Sequence, residues 1–220
     1  MKRTVCALAS GGLDSCVMLA VLARRYRKVH PVFVRQGLVW EEAELRQLRQ
    51  FLRAARLRHQ PLTVLELPLV DLYGAHWSTT GRRVPGVKTP DEAVYLPGRN
   101  LTLLSKAAVF CALHDIDVIA VGSLGHNPFP DATPKFFCDF AGTAGEALDF
   151  RLNIIAPFRS LSKTQVIRRG LRFELPLDLS FSCISPRRGL HCGRCNKCAE
   201  RQQAFRETGV KDLTRYAAAY

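Results

Sequence analysis

The sequence predicts an α/β fold, a parallel β-sheet covered by helices on both faces, with a small cysteine-rich helical subdomain at the C-terminal end. Three observations carry this expectation. Apolar β-type runs alternate with amphipathic helical segments along residues 1–180, a glycine-rich turn follows the first apolar run, and four of the eight cysteines cluster within residues 181–220. Residues 4–9 (TVCALA) read as the first strand, Asp14–Tyr26 as a helix and 29–34 (VHPVFV) as the second strand. Glu41–Arg56 carry the pattern of a long arginine-rich helix, and 62–67 (LTVLEL) read as a third strand. Residues 68–98 break this rhythm with glycine, proline and polar residues, which marks a functional excursion rather than a linker. The alternation resumes with a helix over 100–115 and a strand over 117–122. A second irregular stretch, SLGHNPFPDATPKFF, follows at the edge where open α/β sheets bind ligands. A helix near 137–149, a short strand at 153–156 and a helix starting at Ser162 complete the sheet domain. Such β–α alternation implies a parallel sheet buried on both sides.

Composition narrows the class. In 220 residues, 47% hydrophobic content suffices for a real core. The opening MKRTVCALAS has a basic start but only a short apolar run before SGGLDS, so it reads as a strand rather than a secretory signal. No stretch approaches the roughly 18 apolar residues of a membrane helix, and a cytoplasmic chain is expected. Its cysteines are therefore reduced thiols or metal ligands. The net charge of +13 is mostly arginine. It is scattered through RRYRK, RQLRQFLRAARLRH and RRGLRF, which read as solvated helix faces; attraction of polyanions, ATP included, is the other reading.

The stretch LASGGLDSCV places bare backbone directly before a helix. Unpaired N–H groups and the positive end of the helix dipole favour an anion there, and a phosphate is the natural guest. Gly11 and Gly12 permit positive φ and close approach, Ser10 and Ser15 supply hydroxyl donors, and Asp14, next to Leu13, either caps the helix or helps hold a hydrated Mg²⁺. Neither the Walker nor the dinucleotide fingerprint fits this spacing. Two further loop-to-helix junctions offer cations to phosphates: Arg99 in PGRN and Lys163 in LSKTQV.

Cys183, Cys192, Cys195 and Cys198 are spaced x8, x2, x2, which suits tetrahedral Zn²⁺; a [4Fe–4S] cluster is the alternative, although the Cys-Pro continuation of the ferredoxin run is absent. Four thiolate ligands leave no open position, so the metal is expected to be structural. His191 reads as an exposed loop histidine, with substitution for one of the cysteine ligands as the other reading. Cys6, Cys16 and Cys111 read as buried small residues, and Cys138 lies beside the second irregular stretch.

SGGLDS resembles the pyrophosphate-binding loop of the N-type ATP pyrophosphatases, the PP-loop superfamily. Together with YLPGRN, NPFPDATPKF, LSK and FSC…HCGRCNKCAERQQAF, it resembles the 7-cyano-7-deazaguanine synthase family almost from end to end. The resemblance implies a Rossmann-like (HUP-type) sheet and an ATP-dependent, AMP- and pyrophosphate-forming ligase of queuosine precursor biosynthesis. In that reaction 7-carboxy-7-deazaguanine is adenylated, ammonia forms the amide, and a second ATP drives dehydration to the nitrile. It further implies that Ser10, Gly11, Gly12, Leu13, Asp14 and Ser15 bind pyrophosphate and that Arg99 and Lys163 assist the phosphates. Pro130, Asp131 and Phe136 would form the substrate-side loop, and the four tail cysteines would hold zinc. Asp131 is expected to touch the purine-like base or a metal-bound water, with a cap or turn role equally open.

Departures from the family pattern fall on the substrate side. The chain reads VRQGLVWEEAE where the family carries tyrosine and glycine before Gln-Arg-His, HNPF where it tends to have serine, glycine and tyrosine, and Ala132 where a cysteine is common. A divergent member acting on another carboxylate is thus an alternative, as are a thiolase-like tRNA-modifying enzyme and a non-catalytic zinc and nucleotide module. The expected partners are the small-molecule carboxylate and free ammonia, with no obligatory nucleic acid and no membrane. Tryptophan and phenylalanine near the loops, expected to be exposed, suggest a homodimer.

Overall fold

The structure, a computed structural model, describes residues 2–125 and 127–217; His126, part of the second irregular stretch, lies outside the described residues. In chain order the elements are β1 (Lys2–Leu8), α1 (Leu13–Arg25), β2 (Tyr26–Arg35), α2 (Glu41–Ala54), β3 (Thr63–Glu66), the one-turn helices α3 (Val70–Tyr73) and α4 (Trp77–Thr80), α5 (Arg99–Leu113), β4 (Val118–Ala120), α6 (Pro134–Ala147), β5 (Asn153–Ile155), α7 (Lys163–Arg172) and α8 (Asn196–Thr208). The strands form one parallel sheet in the order β3-β2-β1-β4-β5. Every strand and helix of the expected alternation is present. Where ends differ, local chemistry explains the shift. β2 begins at Tyr26 because Tyr26 pairs with Lys2 at the start of β1. α6 begins at Pro134, before the expected 137, since proline suits the first helical turn and the Thr133 hydroxyl accepts the Phe136 N–H at 3.1 Å. α7 starts from a capping box, with Ser162 and Gln165 satisfying each other's backbone amides. The excursion over 68–98 is more ordered than expected, holding α3, α4 and a 3₁₀ turn at Asp91–Val94.

Alternate residues of the central strand feed two cores. Val5 and Ala7 join Val17, Leu48, Phe51, Phe158 and Ile167 on one face, where α1, α2 and α7 pack; Cys6 joins Leu104, Cys111 and Phe137 on the other, beneath α5 and α6. α1 is buried nearly all round because α7 lies against it through Gly170, where a Cβ would stand 2.8 Å from Leu177 Cδ2 and 3.0 Å from Val17 Cγ2. On α2, Arg46, Arg49 and Arg53 face solvent while Leu45, Leu48 and Phe51 are buried, as a solvated helix face requires.

The cysteine-rich tail packs against the sheet domain through shared apolar and polar contacts. Ala204 and Phe205 of α8 belong to the same apolar cluster as α1, and the buried Arg201 guanidinium donates to Ser180 Oγ and Leu177 O, each at 2.8 Å, with Nε 3.4 Å from Asp212 Oδ2. Truncating Arg201 leaves Asp212 and two acceptors without their cation. Arg201→Met should cost about 3–5 kcal/mol, read as a fall of the thermal midpoint on the order of 10 °C; an unchanged midpoint would show that these bonds give no net stabilisation.

Candidate active site

Because β1 leads outward to β2 on one side and β4 on the other, strand order reverses beside β1, and a crevice opens at the C-terminal ends of β1 and β4. A cavity of about 450 Å³ occupies it, and a second of about 220 Å³ adjoins; Ser10, Gly12, Asp14, Glu44, Arg99 and Gly122 border both. The larger is of the size that takes small-molecule ligands.

The turn after β1 is shaped by close packing. Gly11 has φ +80°, and a Cβ there would stand 2.9 Å from Glu44 O, so only glycine fits. Gly12 departs from the positive φ that the sequence allows. It is extended (φ −64°, ψ 159°) and forms the N-cap of α1 without a side-chain cap. The Gly12 amide donates to Ser10 Oγ at 3.2 Å, and Ser15 Oγ donates to Gly12 O at 3.0 Å. Across the crevice, a Cβ on Gly122 would stand 3.3 Å from Ser15 N, so the end of β4 also has to come close. Leu13 is buried beneath the turn, and the amides of Leu13 and Asp14 have no acceptor among the described residues.

Asp14 does not cap α1. Its Oδ2 accepts from Lys163 Nζ at 2.5 Å, while Oδ1 is buried with no hydrogen-bond partner, as is Ser123 Oγ on the opposite wall. Lys163, the first residue of α7, also pairs with Glu200 at 3.1 Å. Glu200 pairs with Lys197 at 2.7 Å, and Lys197 lies 3.5 Å from Asp91. Burial works against the Lys163 charge, but the Asp14 and Glu200 carboxylates outweigh it and raise its pKa well above the usual lysine range. Burial likewise opposes the charge on Glu200, but Lys163 and Lys197 bring its pKa down to about 2. The site therefore holds a fixed ammonium between two carboxylates, with orphaned polar atoms aimed at whatever fills the crevice. That arrangement suits a polyanion carrying a divalent cation.

Arg99 opens α5, as the sequence indicates. Its Nε donates to Gln36 Oε1 at 3.3 Å, and its guanidinium carbon lies 5.9 Å from the ring centroid of Trp40. The three substrate-side candidates are not brought together in the cavity. Asp131 is buried and spends both oxygens on α5, accepting Asn100 N at 2.9 Å and Asn100 Nδ2 at 3.3 Å, which is the cap role that the sequence left open. Pro130 is exposed, and Phe136 packs with Phe137 and Phe140. Their neighbours Asn127, Pro128 and Phe129 border the cavity instead. Trp40 and Trp77, expected at an exposed surface, stack on each other at 5.7 Å, with Trp40 only 3% exposed, and both border the cavity.

The sulfurs of Cys183, Cys192, Cys195 and Cys198 lie within 4.8 Å of one another, all buried, and form a set able to hold a metal ion. Backbone amides of Ser185 and Cys192 point at Cys183 Sγ, and those of Arg194 and Cys195 at Cys192 Sγ, at 3.3–3.5 Å. His191 is buried, not exposed: its Nε2 accepts the Ser182 amide at 3.0 Å, and burial followed by the Arg201 charge takes its pKa down to about 4. Cys6, Cys16 and Cys111 are buried and Cys138 is exposed on α6; all eight thiols are free. No helix of the described residues is long and apolar enough to cross a membrane.

Sequence reading missed Glu44, Ser123, Lys197 and Glu200 as site residues. Glu44 carried a usable signal, since Glu41, Glu44, Leu48 and Phe51 share one α2 stripe, and acids on an otherwise apolar stripe are unusual.

The family model described as "Queuosine biosynthesis protein QueC" matches residues 4–209. The chain is 32% identical to the 7-cyano-7-deazaguanine synthase of Anaeromyxobacter dehalogenans over 98% of its own length and 96% of the relative's. It is 33% identical to that of Syntrophobacter fumaroxidans over 98% and 97%. Among solved structures it resembles the U34-tRNA thiolase NcsA from Methanococcus maripaludis, described with its [4Fe-4S] cluster, with a TM-score of 0.51 at 14% identity over 94% of this chain and 67% of that one, a likeness of fold alone. A parallel five-stranded sheet flanked by helices, the glycine turn at its switch point and the four-cysteine tail thus coincide with a match across nearly the whole sequence, and the chain belongs to the QueC family of queuosine biosynthesis proteins.

Proposed function

We propose that this chain is an ATP-dependent ligase that adenylates 7-carboxy-7-deazaguanine and uses ammonia to form first the amide and then the nitrile, 7-cyano-7-deazaguanine. The observation that carries this reading is the convergence of the Gly11 turn, the Asp14–Lys163 pair and Arg99 on one crevice at the switch point of the sheet. The relatives' names supply the product, 7-cyano-7-deazaguanine, and the carboxylate precursor is what the family resemblance implies.

The α1 amides and the hydroxyls of Ser10 and Ser15 receive the departing pyrophosphate, with Lys163 as the fixed counter-charge. Asp14 Oδ1, buried and unpartnered, would help hold the Mg²⁺ that accompanies ATP, which would offset phosphate charge when bound. Arg99 borders the same crevice, where its fork suits oxygens of the α phosphate or of the acceptor carboxylate. A carboxylate or amide oxygen is a poor leaving group; attached to AMP it becomes a good one, which is why the same crevice serves both rounds of ATP use. Trp40 and Phe129 furnish flat apolar walls for a planar heterocycle.

We assign the tail cysteines to structural zinc. The Cys192–Cys198 and Cys183–Cys195 sulfur separations are 4.0 and 3.9 Å, near the edge of about 3.8 Å of a tetrahedron with zinc–sulfur bonds of about 2.3 Å. A cubane places four irons between its cysteines and holds the sulfurs farther apart. Zinc here would fix the loop leading into α8, and with it Lys197 and Glu200.

Mass spectrometry of products after incubation with ATP, Mg²⁺, ammonium and 7-carboxy-7-deazaguanine should show amide and nitrile together with AMP and pyrophosphate; turnover of a different carboxylate with none of this one would sink the assignment. Asp14→Asn should lower carboxylate-dependent ATP–pyrophosphate exchange about 100-fold or more, with far-UV circular dichroism unchanged. Elemental analysis should find one zinc per chain, lost in Cys192→Ser along with a lower thermal midpoint. Iron, with visible charge-transfer absorption, would replace zinc by the cluster.

A further inference from the structure

We propose that Glu44 is the catalytic base that takes the protons released when nitrogen enters and when the amide is dehydrated, a role that rests on the adenylation reading above. Glu44 is 8% exposed and borders both cavities beside Ser10, Gly12 and Arg99. Its carboxylate has no hydrogen-bond or ion-pair partner among the described residues, whereas its neighbour Glu41 is spent on the backbone amides of Gln36 and Gly37 at 2.6 and 2.9 Å. The buried acids of α2 are thus divided: Glu41 holds the β2–α2 turn, and Glu44 is left facing the crevice.

Position and chemistry agree. The Glu44 backbone carbonyl lies against Gly11, so its carboxylate is anchored to the same turn that is proposed to hold pyrophosphate. The charged and titratable groups facing it are Arg99 from α5, Glu41 on its own helix, and Asp14 and the Cys16 thiol from α1. Burial raises its pKa, Arg99 draws it back and Glu41 pushes it up again, leaving it at about 8. A carboxyl poised there exchanges protons near neutral pH, which an ordinary glutamate does not.

In the first round the ammonia lone pair attacks the acyl carbon of the acyl adenylate. The C–N bond forms, the C–O bond to AMP breaks with its electron pair on the AMP oxygen, and the surplus proton on nitrogen passes to Glu44. In the second round the amide oxygen attacks the α phosphorus and pyrophosphate leaves. The two N–H protons are then lost in turn as the C≡N bond forms and AMP departs, and Glu44 accepts each and returns it to solvent.

The test compares wild type, Glu44→Gln and Glu44→Asp in two assays: ATP–pyrophosphate exchange driven by 7-carboxy-7-deazaguanine without ammonia, and amide and nitrile formation at fixed free-ammonia concentration across the pH range around 8. Relative to the exchange rate, product formation by Glu44→Gln should fall about 100-fold and lose its rise with pH. Glu44→Asp should keep that rise at a lower rate, and it carries the test alone if the Gln variant does not fold. A Gln variant that keeps the pH limb, or that loses exchange and product formation in equal proportion, overturns the role as base while leaving adenylation standing. Wild-type enzyme without exchange on this carboxylate overturns the adenylation reading and the base together.

Discussion

The ion pair between Lys163 and Asp14 joins the first turn of α7 to the first turn of α1, 149 positions apart in sequence, and the crevice takes its form around it. Two partly buried charges at this depth are costly to desolvate. They persist because the pair is not isolated: Glu200 and Lys197 of α8 and Asp91 of the 68–98 excursion extend it into a chain of alternating sign. Four segments that do not adjoin in sequence, α1, α7, α8 and the excursion, are held in one arrangement by that alternation. The ammonium lies beside the N-terminus of α1, where it offsets the Asp14 and Glu200 carboxylates and leaves the helix dipole and the unpaired amides of the turn free to face an anion.

Around this chain the steric demands are severe. Gly11, Gly122 and Gly170 each occupy a place where a Cβ would meet backbone or packed side chain within 3.3 Å, and these contacts bring the β1 turn, the end of β4 and α7 close enough to share one cavity. The tail contributes a wall as well as a metal-ligating set. Gly86 bridges to Cys195, and Asn196 N donates to Pro85 O at 2.9 Å, so the excursion and the cysteine loop close the same side of the crevice.

Much of this was legible beforehand. The alternation of apolar runs and helical periods gave the parallel sheet, because strands buried on both faces must be apolar throughout and crossover helices must be amphipathic. The SGGLDS turn, Arg99 and Lys163 were readable as loop-to-helix junctions, and the cysteines by spacing. The substrate side was not. Asp131 after Pro130 read equally as a ligand contact or a cap; its oxygens accept from the N-terminus of a helix 31 positions upstream, a donor for which no local pattern codes. Trp40 and Trp77 looked like surface aromatics, but Trp40, at the entry to α2, stacks on Trp77 of α4.

The sequence by itself determined the strand–helix order, the glycine pair of the turn, the cations at helix starts and the four thiols, since each depends on contacts within a few residues; that only Gly11 of the pair is left-handed came from packing. Only the tertiary structure decided which charges meet, that His191 is buried, that Glu44 faces the crevice unpaired and that Asn127–Phe129 rather than Pro130–Phe136 line it. Those outcomes depend on sheet order and on helices crossing at distances in sequence that no periodicity records, and burial, which sets each group's charge state, exists only once those crossings are made.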